Sequence, residues 1–298
     1  MTAGPIPEWV ERYQTTTPPL PGWFYNVDLR LFALLNQLQV AGDVSGDLLE
    51  VGGHLARSAV ALGYMRRDHE SLVVIDPWDA YVHLEATLEE NDREHDRFDT
   101  GATLEQFKEN YLRFHAQLPD IRQGISTEQL KHLPAGRFRF IHIDGSHEWR
   151  VVSADVGQVL RILSPGGVVA FDDMFDRRFA GVGAAVWPAC SRGDLVPLAT
   201  TDKLYATRGP SRVSAASVAR AVEDDPELRI LSRHPIFGSE VLEVTMSPPP
   251  LLGRLHRYVP PALVDVARER NIGTRARRAL ARLPGRGSPR TGAGPAGR

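Results

Sequence analysis

The chain has 298 residues, 42% of them apolar, which suits one large domain with appendages and a substantial buried core. Its net charge of −2 hides an uneven spread, because eleven Arg stand against two acids (Asp265, Glu269) past residue 248; the acidic remainder excludes a broad nucleic-acid surface. No apolar run approaches the ~20 residues that span a bilayer, the opening MTAGPIPEWVERYQ lacks signal-peptide order, and the lone Cys190 excludes an internal disulfide, so a cytoplasmic chain without stable membrane insertion is expected.

Residues 1–22 read as loop, punctuated by TTTPPLPG. NVDLRLFALLNQLQVAG then spaces Leu29, Leu31, Phe32, Leu34, Leu35, Leu38 and Val40 nearly as a helix does, with Asn26 or Asp28 as its cap. DLLEVGG is a short apolar strand, ARSAVALGYMRR a helix and SLVVIDPW a second strand. A polar, acidic stretch at 85–99 precedes the helix TLEQFKENYLRFHAQL and a weak strand near IRQGIS. RFRFIHID, RVVSADVGQVLRIL, GGVVAFDD and GVGAAVWPACSR alternate strand with helix, and DLVPLATTDKLYATR reads as two strands joined by a short turn. Apolar strands separated by helices of this length mean a parallel sheet buried on both faces, while the short closing connection requires one antiparallel strand. Residues 211–250 are expected to form a helix-and-strand appendage. The basic amphipathic segment LVDVARERNIGTRARRALARL and a disordered Gly/Pro-rich end make up 251–298.

The first turn, Glu50-Val51-Gly52-Gly53, joins strand to helix, where small residues admit a ligand to the backbone and helix-start N–H groups favour negative charge. The dinucleotide pattern G-x-G-x-x-G does not fit, since Gly53, His54, Leu55 and Ala56 follow Gly52. An acid one turn before the glycines suits a ligand carrying an ammonium group, and Ser58 follows in the helix. Asp76, at the end of the second strand, is placed to accept from both hydroxyls of a ribose, in nicotinamide and adenosyl cofactors alike. Trp78 is either a cover for the adenine or an ordinary half-buried aromatic. Glycine turns also arise for packing alone, so a nicotinamide oxidoreductase and a binder without chemistry stay open here.

Two further strands deliver acids at their carboxyl ends: Asp144, within Asp144-Gly145-Ser146-His147, and the pair Asp172-Asp173. That edge of an open α/β sheet is where ligands bind. Three carboxylates gathered without a cation would repel, and at least one would take up a proton. A hard divalent ion resolves this; without a metal, Asp172 and Asp173 would cap the next segment or orient substrate.

With GDLLEVGGHLARSAVALG, VVIDPWD, RFIHIDGSHEWRVVSADV, LSPGGVVAFDDMF and TDKLYATR in this order, the chain resembles class I S-adenosylmethionine-dependent methyltransferases over roughly residues 22–208. The sugar O-methyltransferases of antibiotic and polysaccharide pathways, macrolide deoxysugar enzymes included, are the most similar branch, and catechol O-methyltransferase shares the site plan more distantly. The resemblance implies a Rossmann-like, doubly wound α/β fold: a mainly parallel seven-stranded sheet with its last strand antiparallel. An N-terminal helical lid (1–40), a cofactor-binding core (41–210), the appendage and the tail would make up the chain. It implies S-adenosyl-L-methionine held by Glu50, Gly52, Gly53, Ser58, Asp76, Trp78 and Ser126. It further implies Mg²⁺ (or Mn²⁺ or Ca²⁺) on Asp144, Asp172 and Asp173, and a sugar or glycoside hydroxyl as acceptor. His147 would then take the hydroxyl proton, a role suited to a group titrating near neutrality; the alternative is a histidine bonded to a neighbouring loop. His142 faces away from Ile141 and Ile143 and reads as structural. Tyr13, Trp23, Phe24 and Tyr25, with the loop 174–182, are expected to cover the acceptor or to form the seam of a homo-oligomer.

Overall fold

The computed structural model describes residues 3–79, 102–209 and 211–248. The acidic stretch at 85–99, the basic amphipathic segment and the Gly/Pro-rich end lie outside these residues. The compact unit Met1–Met246 carries every element below.

Short, mostly apolar strands build the centre, with Glu50, Arg139 and His142 the buried polar exceptions. β1 (Asp47–Val51), β2 (Leu72–Asp76) and β4 (Phe138–Ile143) are buried along nearly their whole length, as strands covered on both faces must be. With β3 (Asp120–Gln123), β5 (Leu163–Phe171), β6 (Val196–Thr200), β7 (Leu204–Thr207), β8 (Leu228–Ile236) and β9 (Ser239–Met246) they form one sheet in the order β3-β2-β1-β4-β5-β7-β6-β9-β8. β1 pairs in parallel with both β2 and β4, and β4 with β5, whereas β7 runs antiparallel to β5 and β6. The chain reverses direction of travel across the sheet between β1 and β4, the crevice where ligands of doubly wound folds sit.

One face of the sheet is covered by α2 (Asn26–Ala41), α3 (Arg57–Met65), α4 (Leu104–Leu112) and α8 (Ala215–Asp224). The other carries α6 (Trp149–Ile162) and α7 (Ala180–Ser191), with the short α5 (Ser126–Gln129) and the turn after it contributing Leu130 and Leu133. α6 is amphipathic, burying Val152, Val156 and Val159 on one stripe, and Glu148 caps its start by accepting from Arg150 N. α4 begins with a capping box between Thr103 and Gln106.

The Rossmann-like expectation holds, with three differences. The sheet has nine strands: β9 pairs in parallel with β6 (Ala199↔Leu242, Thr200↔Glu243), so the appendage extends the core sheet instead of leaving the β6 edge open. The loop expected at 1–22 contains α1 (Glu8–Thr15), whose short apolar face of Trp9, Val10 and Tyr13 packs on the core, with Trp9 stacked on Tyr64, rings 5.2 Å apart. Finally, neither Asn26 nor Asp28 caps α2. Tyr25 occupies that position without a side-chain capping bond, and Asp28 turns inward to accept from Thr201 and Tyr205, each over 2.6 Å.

Candidate active site

Strand register sets the site. Val51 pairs with Ile143, and Ile143 with Phe171, so the three strands end level. Asp144 N donates to Val51 O (2.8 Å) and Asp172 N to Ile143 O (2.9 Å), which continues the ladder one residue past each strand. Gly52, Asp144 and Asp172 therefore stand in a row at the carboxyl edge. Gly52 has φ +95°, and a Cβ there would run into the carbonyl of Asp144; glycine lets these tips approach.

The period of two along each strand then sorts the side chains by face. Glu50, His142, Lys203 and Tyr205 all lie on the face of the sheet that α2 covers. Glu50 is fully buried: Oε1 accepts from Ser58 Oγ and lies 3.1 Å from His142 Nδ1, while Oε2 has no partner among the described residues. His142 is also fully buried, with Nε2 unpartnered. One ligand atom each of His142, Asp144 and Asp172 lies within 4.8 Å of the others.

The antiparallel pairing Phe171↔Leu204 brings Lys203 opposite Asp172, one step past the ladder. Lys203 is buried, its ammonium ion-paired with Asp172 and 5.8 Å from the centre of the Phe24 ring. Burial would lower the charge state of Lys203, but the carboxylates of Asp172, Asp144 and Asp28 more than offset it and hold the ammonium above its ordinary range. Burial would likewise raise Asp172, yet Lys203 overrides it and holds the carboxyl at about 2. Burial, and then the Asp172 charge, push Asp144 well up. The repulsion foreseen among clustered carboxylates is thus relieved by one proton and by a lysine that sequence reasoning missed.

Asp173 turns elsewhere. It adopts φ +53°, and its Oδ2 lies 2.9 Å from His147 Nε2, both side chains about one-quarter exposed. The His147 ring stacks on Phe179 with centroids 3.8 Å apart, which fixes its plane. A small cleft beside this pair is lined by Asp144, Ser146, His147, Asp172, Asp173 and Val182.

At the glycine turn, Asp76 accepts from His54 N (2.9 Å) and Trp78 N (2.6 Å), binding the two loops together. Trp78 is buried against Phe107 (5.0 Å), and its indole donates to His54 O. A Cβ on Gly53 would come within 2.7 Å of Val74 and 2.8 Å of the Trp78 ring, so this glycine serves packing. α3 starts at Ala56, in the left-handed region, without a side-chain cap. Ser126 is buried and donates to Asp155 over 2.8 Å. Of the N-terminal aromatics, Tyr13 donates to Arg57 O, Trp23 is half exposed 5.5 Å from the His54 ring, Tyr25 is half-buried at the start of α2, and Phe24 is buried over the acid cluster.

Residues 49–174 match the family model described as a methyltransferase domain. The chain carries a methyltransferase domain. That span runs from β1 through the Asp172-Asp173 tip, so the turn, the acids and His147 all lie inside it. No curated protein matches the chain. Among solved structures, the O-methyltransferase NovP is 18% identical, with 61% of this chain and 81% of that one covered at a TM-score of 0.50, which supports the class I S-adenosylmethionine-dependent methyltransferase fold. CalS11, a TDP-rhamnose 3′-O-methyltransferase of calicheamicin biosynthesis, is 15% identical over 61% of this chain and 79% of that one at 0.41. An O-methyltransferase from Bacillus cereus in complex with SAH is 15% identical over 67% and 90% at 0.39; these two are likenesses only. No helix among the described residues is long and apolar enough to cross a membrane.

Proposed function

We propose that this methyltransferase domain transfers a methyl group from S-adenosylmethionine to a hydroxyl of a sugar or glycosylated small molecule, with His147 as general base. The observation that carries the reading is the His147–Asp173 pair, held beside Asp144 and Asp172 at the carboxyl edge of the sheet.

The residues at the first turn fit the cofactor. Glu50 Oε2 is a buried acceptor with nothing to accept from among the described residues, the unmet need that an ammonium group supplies. The uncapped start of α3 adds backbone N–H groups, Gly52 and Gly53 keep the turn close, Ser58 orients Glu50, and Asp76, Trp78 and Ser126 frame the nucleoside side. When bound, S-adenosylmethionine supplies the activated methyl group.

Asp173 on Nε2 and Phe179 against the ring hold the imidazole in place, and it takes the acceptor proton as the methyl–oxygen bond forms and the methyl–sulfur bond breaks. Most of the remaining rate advantage comes from alignment of the acceptor in the cleft. A divalent ion would be held by Asp144 and Asp172, with His142 fitting as a third donor and Asp173 available at the rim, and would acidify the acceptor hydroxyl. The acceptor class follows the family that the sequence resembles.

The test is formation of S-adenosylhomocysteine with a panel of sugar and glycoside hydroxyl acceptors. His147→Ala is expected to lower kcat on the order of 10²-fold or more while cofactor affinity stays within about threefold. Asp173→Asn, which keeps the shape but not the charge, should fall between. Full turnover in His147→Ala would remove the base assignment.

A further inference from the structure

The carboxylates at the tips of β4 and β5 already hold a cation that belongs to the chain. We propose that Lys203 is the resident counter-ion of a pocket made by His142, Asp144 and Asp172, and that a divalent ion enters this pocket only by displacing the Lys203 ammonium. The inference rests on the preceding reading only where that reading uses a divalent ion.

Three observations converge. Lys203 is 1% exposed and ion-paired with Asp172, whose other oxygen accepts from Asp173 N over 2.8 Å. His142 is fully buried with Nε2 unpartnered, and its ligand atom, like those of Asp144 and Asp172, falls within 4.8 Å of the other two. Glu50 Oε1 lies 3.1 Å from His142 Nδ1, the arrangement in which a carboxylate behind the ring leaves the opposite nitrogen as donor to a cation. A nitrogen and two carboxylates make a cation pocket of mixed character, suited to Mn²⁺ at least as well as to Mg²⁺.

A lysine ammonium and a dication cannot share Asp172 at contact distance in a low-dielectric site without strong repulsion. The chain gives Lys203 a reason to stay: the Phe24 ring lies over it, and Asp28 adds a third acid. The lysine therefore balances the Asp172 carboxylate when no ion is bound, and an entering ion must drive it out.

The sequence contains only three lysines, which makes the displacement directly readable. The side chains of Lys108 and Lys131 are 32% and 52% exposed, against 2% for Lys203. The full chain is acetylated with an amine-reactive ester and mapped by mass spectrometry, with and without Mn²⁺, while paramagnetic resonance follows free Mn²⁺. We expect Lys108 and Lys131 to react throughout and Lys203 to be protected until Mn²⁺ binds, then to react about tenfold faster or more. Lys203→Met should bind Mn²⁺ at least about tenfold more tightly than the native chain. Binding by Lys203→Met alone would support the same account. Lys203 that reacts freely without ion, or stays protected while Mn²⁺ binds, would overturn it, as would unchanged affinity in Lys203→Met. If Mn²⁺ binds neither protein, this inference and the divalent-ion part of the reading fall together. S-adenosylhomocysteine binding on the same preparation decides the methyltransferase reading separately.

Discussion

Asp155 shows how one residue can make stability depend on pH. It is buried in α6, Oδ2 accepts from Ser126, Oδ1 has no partner, and burial raises its carboxyl to about 7. The folded state thus keeps a proton that the unfolded state releases near pH 4. Its contribution is fully present below that value and is lost as pH rises toward 7, by up to about 4 kcal/mol. Asp155→Asn should therefore gain stability over the native chain increasingly between pH 5 and 8, measured as Tm; parallel Tm–pH curves would contradict this. At the same scale, Asp144, His147, Asp172 and Asp173 stood out in the sequence because acids interrupt apolar strands where a sheet ends. Lys203 did not, since its meeting with Asp172 depends on the register Phe171↔Leu204, which no local pattern encodes. Asp28 was misread for the related reason that a polar residue early in a helix looks like a cap, whereas its partners Thr201 and Tyr205 lie far along the chain.

The elements were legible where burial leaves a continuous mark. β1 and β4 announce themselves by mostly apolar runs, β5 by its last residues Val168–Phe171, and α6 by its stripe. α1 escaped notice because its apolar face, Trp9, Val10 and Tyr13, is short and set among turn residues, and the pairing of β9 with β6 is a long-range event. α2 is buried nearly all round because helices flank it and the sheet lies beneath, and it is tied to the end of α8 by a bidentate pair: Arg30 Nε and Nη2 donate to Asp225 over 2.8 and 2.7 Å. Both side chains are almost wholly buried, so Arg30→Ala would strand the Asp225 charge. A loss of about 3–5 kcal/mol is expected in denaturant unfolding. A loss under about 1 kcal/mol would mean that the helix is secured by apolar packing alone.

Across the whole molecule, function follows from strands that end level. Gly52, Asp144 and Asp172 line one edge at the crossover between β1 and β4, and the glycine turn and the acid cluster become neighbours through the buried chain from Ser58 and Glu50 to His142. The methyltransferase domain at 49–174 contains the turn and the acids, but Lys203 stands just before β7, beyond it, and the nine-stranded sheet reaches past it to β8 and β9. The central claim is that the turn beside Glu50 receives S-adenosylmethionine. Calorimetric titration of the full chain with S-adenosylhomocysteine, and separately with NADH, tests it most directly. The account predicts micromolar binding of S-adenosylhomocysteine and none of NADH; binding of NADH with no heat from S-adenosylhomocysteine would contradict it.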